Sequence, residues 1–193
     1  MSIDLAALSQ ARRLVLVEGQ SDKAAVEVLA ERRGHAVGGT GLQVVAMGGA
    51  TSIGHFLALL GPRGIGAALT GLCDAGEERY VRWALEQGGL GSVTSRASME
   101  ARGFYVCTAD LEDELIRAAG TAAVEQIIQA QGELRSFRLF QQQPAQRGRS
   151  TARQLRRFMG TRSGRKSQYA RLLAAALDPA QIPRPLDRVL AHA

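Results

Sequence analysis

Four apolar runs, each followed by a polar turn and a helical repeat, restrict this chain more than any other feature. They are Leu14 to Val17, Leu42 to Met47, Ile65 to Cys73 and Phe104 to Cys107. The pattern predicts a strand at Arg13 to Val17 and a helix at Asp22 to Arg33, with Ser21 as its cap. A second strand at Leu42 to Met47 precedes a helix at Ser52 to Leu60, capped by Thr51 or Ser52. The third run precedes a helix over Asp74 to Gln87. After a loop with a short helical piece at 88–102, the fourth strand leads into a helix over Asp110 to Ala119. Strands alternating with helices make an α/β fold with a central, mainly parallel four-stranded sheet flanked by helices. Right-handed crossovers then bring the C-terminal ends of all the strands to one edge, where ligand-binding groups collect.

That edge gathers acids. Glu18, Asp74 and Asp110 each stand at or just past a strand end, with Asp22, Glu77, Glu112 and Asp113 close behind them. Burying several carboxylates together is costly without a cation. Mg²⁺ or Mn²⁺ supplies one, because a hard divalent ion takes oxygen ligands and needs few carboxylates at once. Two ions about 4 Å apart would steady the entering and leaving oxygens of a phosphodiester displacement. Gly19 leaves room for a phosphate to approach the turn backbone. Helix capping and first-turn charge account equally well for Asp74, Asp110, Glu112 and Asp113. They do not account for Glu18, which ends a strand and precedes glycine.

From Thr121 the strands stop. Helices are expected at Ala123 to Gln131, Glu133 to Gln142, Thr151 to Met159 and Lys166 to Leu177, with a proline-initiated helix in the tail. Charge separates along the chain: Arg135 to Arg171 holds eleven Lys or Arg and no Asp or Glu, within a formal net charge of +6. Such a segment suits a polyanion. Arg147, Arg149, Arg153, Arg156, Arg157, Arg162 and Arg165, with Lys166, are the expected phosphate-backbone contacts, which give affinity without sequence preference. Phe137, Phe140 and Phe158 read as core rather than stacking platforms.

Four segments resemble the TOPRIM domain of the overcoming-lysogenization-defect (OLD) family of nucleases. "LVEGQSDKAAVEVLA" is similar to its first motif and "LTGLCDAGEE" to its second acidic motif. "GFYVCTADLEDELIRAAG" resembles the last strand and helix, and "GTRSGRKSQYARLLAAAL" the lysine-bearing C-terminal segment. The resemblance spans about residues 12 to 175. It implies a Rossmann-like TOPRIM fold over residues 1–120, with a basic helical C-terminal extension over 121–193 packed on it. It implies Glu18 as general acid/base or as a ligand through water, and Gly19 for close backbone approach. Asp22 and Asp74 would bind metal with Glu77 beside them, Glu112 would serve a second metal, and Lys166 would stabilise charge on the phosphate. In one place the chain departs from the family. Where the second motif has two aspartates separated by one residue, the sequence reads Asp74-Ala75-Gly76. Glu77, Asp110 or Glu112 would have to compensate, or the site is weak or inactive.

The expected activity is metal-dependent hydrolysis of nucleic-acid phosphodiesters, with DNA as the first partner to test. The alternatives are a nucleic-acid-binding module with a degenerate metal site and a hydrolase of a small phosphorylated molecule. Relatives of the OLD kind join this domain to an ATPase domain, and 193 residues leave no room for one, so ATP-driven work would need a separate ATPase partner. A homodimer is a further option. "GTRSGRKS" misses the phosphate-cradling P-loop, since Arg165 stands where glycine is required and a helical segment precedes it. Two cysteines and three scattered histidines have no zinc-ligand spacing. No apolar run is long enough to cross a bilayer, and the N-terminus lacks a signal-peptide pattern. The expected location is the cytoplasm.

Overall fold

In a computed structural model, residues 5–192 are described; Met1 to Asp4 and Ala193, which the 1–120 and 121–193 divisions include, lie outside the described residues. After helix α1 (Leu5–Gln10), four strands alternate with helices. They run β1 (Arg13–Val17), α2 (Gln20–Arg32), β2 (Leu42–Ala46), α3 (Ile53–Leu60), β3 (Leu69–Asp74), α4 (Glu78–Gln87), α5 (Arg96–Glu100) and β4 (Phe104–Cys107). Helices then follow without strands: α6 (Leu111–Ala119), α7 (Thr121–Ala130), α8 (Leu134–Gln142), α9 (Thr151–Met159), α10 (Arg165–Ala176) and α11 (Arg184–His192). The sheet has the order β2-β1-β3-β4. Every pairing is parallel, with Val15 opposite both Val44 and Thr70, and Leu72 opposite Tyr105.

Because side chains alternate across a strand, β1 feeds two cores. Val15 and Val17 point into a layer with α2, α6, α10 and α11, while Leu14 and Leu16 point into the opposite layer with α3 and α4. All four are fully buried, as expected for strands covered on both faces. The first layer includes Phe137, Phe158, Tyr169 and Leu186, so the helices after residue 120 share a core with the sheet. Gly71 of β3 has no room for a side chain. A Cβ there would stand 2.8 Å from the Phe104 ring and 3.0 Å from the Leu16 carbonyl oxygen.

Several local expectations shift. The third strand begins at Leu69, not Ile65, because residues 61–66 turn back on α3: Ile65 N–H donates to the Leu59 carbonyl and Gly66 takes φ +67°. Ser21 does not cap α2. Gly19 holds the cap position, and the Asp22 carboxylate reaches back to accept its N–H at 2.7 Å. Neither Thr51 nor Ser52 makes a side-chain cap bond. Among the described residues, no helix is long and apolar enough to cross a membrane.

Candidate functional site

Parallel pairing puts the ends of β1, β3 and β4 side by side, and the chain places acids at each. Glu18 follows β1, Asp22 lies in the first turn of α2, and Asp74 ends β3. Their side chains line one cleft, floored by Leu72, Cys73, Cys107 and Leu111. Asp110 and Glu112, at the start of α6, stand close enough to act on the same charges. Lys166, in the first turn of α10, reaches the rim from the helical region, with Nζ 3.0 Å from the Glu112 carboxylate.

These acids fall into two groups. Asp110 caps α6, accepting the Asp113 N–H at 2.8 Å, and pairs with Arg156 of α9. Glu112 is 2% exposed and pairs with Lys166 through one oxygen; its other oxygen is buried without a hydrogen-bond partner. Among the described residues, by contrast, Glu18 and Asp74 have no ion-pair partner and no side-chain hydrogen bond, and the one hydrogen bond to the Asp22 carboxylate comes from the Gly19 N–H. Burial, then the Asp22, Asp110, Glu18 and Glu112 charges, push the Asp74 carboxyl up to about 7. Burial, with the Glu112 and Glu18 charges, pushes Asp22 up to about 6 against the Gly19 N–H and Lys166, which hold it down. Burial opposes the charge on Lys166, yet Glu112, Asp22 and Asp110 hold its pKa above the ordinary lysine value.

The donor set is all oxygen and carries uncompensated negative charge, which is the chemistry of a hard divalent cation site. Glu18, Asp22 and Asp74 are the side chains that fit it. Among the described residues, no three His, Cys, Asp or Glu side chains stand in ready ligand geometry. Asp22 is turned to Gly19, Asp110 to Arg156 and Glu112 to Lys166. Cys73 and Cys107 are buried, with thiols pushed well up by burial and by Asp74, so neither serves as a nucleophile.

The remaining candidates are more dispersed. Glu77 sits on the turn after β3 and does not line the cleft. Arg147, Arg149, Arg153 and Arg157 are exposed on and before α9. Arg156 is at the rim on Asp110. Arg162 pairs with Glu133. Arg165 points inward: it is 5% exposed, lies 4.2 Å from the Phe158 ring centroid, and bonds Glu133 and Thr161. Sequence spacing could not reveal the Arg156–Asp110 pair, because it exists only once α9 packs on α6.

Residues 11–74 match the family model described as overcoming lysogenization defect protein-like, TOPRIM domain. Two solved structures have the same fold along nearly the whole chain. The C-terminal region of the Xanthomonas campestris pv. campestris OLD protein, phased with platinum, superposes with a TM-score of 0.71 at 21% identity, covering 96% of this chain and 93% of that one. The C-terminal region of the Burkholderia pseudomallei OLD protein gives 0.69 at 19% identity, covering 94% and 96%. No curated protein sequence matches.

Proposed function

From the match of residues 11–74 to the OLD-like TOPRIM family model, we propose that the chain is a divalent-metal-dependent nuclease that hydrolyses nucleic-acid phosphodiesters. In this reading the TOPRIM part, residues 1–120, carries the chemistry. The helical part, 121–193, is packed on it and adds Lys166 and the basic contact surface. One observation carries the proposal: Glu18, Asp22 and Asp74 line a single cleft and, among the described residues, none of them has an ion-pair partner, while Asp110 and Glu112 each have one.

Glu18, Asp22 and Asp74 would hold Mg²⁺ or Mn²⁺, with Asp110 and Glu112 recruited by exchange of their ion-pair partners. When bound, such an ion neutralises the cleft and polarises a phosphoryl oxygen. Gly19, with no side chain, admits the substrate phosphate to the turn backbone. Glu18 accepts the proton of the attacking water as its oxygen bonds to phosphorus. The bond to the leaving oxygen breaks, and a solvent water protonates that oxygen. Lys166 moves from Glu112 to the phosphoryl oxygens as charge grows there.

Gly76 and the two occupied carboxylates favour one other reading, a binding module with a degenerate metal site. Glu18→Gln and Asp74→Asn separate the two. The nuclease loses Mn²⁺-dependent cleavage of linear DNA in both variants and keeps its DNA affinity. A binding module shows no cleavage in the parent protein and salt-sensitive binding indifferent to both changes.

A further inference from the structure

Trp83 is 54% exposed, an unusual position for the only tryptophan of the chain. It lies on α4, the helix that leaves the rim directly after Asp74. Tyr80 is its neighbour one turn earlier, with ring centroids 5.8 Å apart and planes tilted by 39°. Tyr80 is fixed in place: it packs against the core beneath α4, and its hydroxyl donates to the Thr51 carbonyl at 2.9 Å, tying the pair to the loop after β2. Arg79, exposed and with no ion-pair partner among the described residues, shares this face, since residues three and four apart are neighbours on a helix. The same row runs back to Gly76, two residues past Asp74.

The face is aromatic, with one guanidinium, rather than greasy. Glu78 is engaged by Arg96 and Glu86 accepts the Val93 N–H, which leaves Glu77, three residues before Tyr80, as the carboxylate nearest Arg79 without an ion-pair partner among the described residues. Among the described residues, the other exposed large hydrophobic side chains are Ile65 and Leu139, on different elements. One ring pair with a guanidinium and no aliphatic surround is too small for a protein interface, but it matches a nucleobase and its phosphate. Duplex bases are stacked on each other and offer no free face; unpaired bases do.

We propose that Tyr80 and Trp83, with Arg79, form a stacking platform that receives unpaired bases of a single-stranded nucleic acid leading to the cleft. This deepens the nuclease reading by naming the substrate form, and it rests on that reading for the strand's destination. The row from Gly76 to Trp83 spans about 10 Å of helix, so a strand with a phosphate at Asp74 passes over the rings within its next few nucleotides.

Trp83 reports directly on the proposal. The full chain in EDTA, where no cleavage occurs, is titrated with a fluorescein-labelled oligo-deoxythymidine and, separately, with a blunt duplex. Anisotropy of the label reads binding, and tryptophan emission of unlabelled mixtures reads the platform. The expected result is quenching of Trp83 by the single strand in step with binding and little quenching by duplex. Trp83→Ala weakens single-strand affinity about tenfold, and Trp83→Phe restores most of it. Binding that leaves Trp83 emission unchanged, equal quenching by duplex, a Trp83→Ala affinity within twofold of the parent, or no binding overturns the inference. So does emission that shifts with protein concentration alone, which would mark self-association. Cleavage abolished by Glu18→Gln with a silent Trp83 would leave the nuclease reading standing and remove only the platform.

Discussion

A carboxylate at the end of a buried strand either caps the next helix or faces an opposite charge, and Asp110 and Asp74 divide along that line. Asp110 makes its cap bond and has Arg156; Asp74 makes none and has no ion-pair partner among the described residues. The consequence is a pH dependence opposite to that of most acids. Asp22 and Asp74 are pushed up to about 6 and about 7, above the value of about 4 expected in an unfolded chain. Between those limits the folded state holds protons that the unfolded state releases, so stability falls as pH rises. Thermal melting in EDTA should therefore give a midpoint that declines from about pH 5 to about pH 8, with Mn²⁺ restoring it chiefly at the upper end. A flat profile in EDTA would count against uncompensated charge at the cleft. Gly76 offers a complementary test. It has no positive φ, and a Cβ there meets nothing within 4 Å, so Gly76→Asp is accommodated without strain. Calorimetry should show Mn²⁺ binding roughly tenfold tighter in this variant, about 1.4 kcal/mol. The rim acids were legible because strand ends can be read from apolar runs. The partners of Asp110 and Glu112 were not, since Arg156 and Lys166 lie more than 40 residues away.

Helix α10 shows how an element is held so that one of its side chains can serve the rim. Arg165 is buried against Phe158 and Glu133, Tyr169 donates to the same carboxylate at 2.7 Å, and Arg32 of α2 donates to the Ala174 and Leu177 carbonyls at the far end. Lys166, next in sequence to Arg165, is thereby aimed at Glu112. Burial works against charge on Glu133, yet the Tyr169 and Arg165 hydrogen bonds hold its carboxyl below the ordinary value. Removing that charge leaves a buried guanidinium unpaired. Glu133→Gln should cost about 3 kcal/mol in urea denaturation, whereas Arg162→Ala, 71% exposed on the same carboxylate, should cost less than about 1 kcal/mol. Equal costs would show that Arg165 does not depend on Glu133. The helices of this region were legible from periodicity and Pro/Gly punctuation. The inward turn of Arg165 was not, because "GTRSGRKS" reads as an exposed basic loop until Gly164, at φ +77°, starts the helix.

On the scale of the whole molecule, charge is segregated less strictly than the sequence implies. Of the eleven basic residues between Arg135 and Arg171, five meet acids: Arg138 on Glu125, Arg156 on Asp110, Arg162 and Arg165 on Glu133, and Lys166 on Glu112. The acids come from outside the basic stretch, so its composition could not disclose them. Among the described residues, six arginines of this stretch have no acidic partner, and four of them, Arg147, Arg149, Arg153 and Arg157, lie on α9 or just before it. That count limits the electrostatic part of binding. Each phosphate neutralised contributes about −0.7 to the slope of log affinity against log salt on a single strand. These six with Arg79 of the platform allow a slope no steeper than about −5, where the full set of eleven with Arg79 would allow about −8. Anisotropy titrations across a salt series in EDTA should give the shallower value. Replacing Arg153 and Arg157, one turn apart on α9, with glutamine should reduce the slope by about 1.4 and weaken binding similarly for every sequence. A slope near −8 would require the rim pairs to open on binding, freeing Arg156 and Lys166 for the strand. In that case Arg156→Gln should flatten the slope as much as either exposed arginine does. A parent slope of about −5, unchanged by Arg156→Gln, would instead keep Arg156 on Asp110 while nucleic acid is bound.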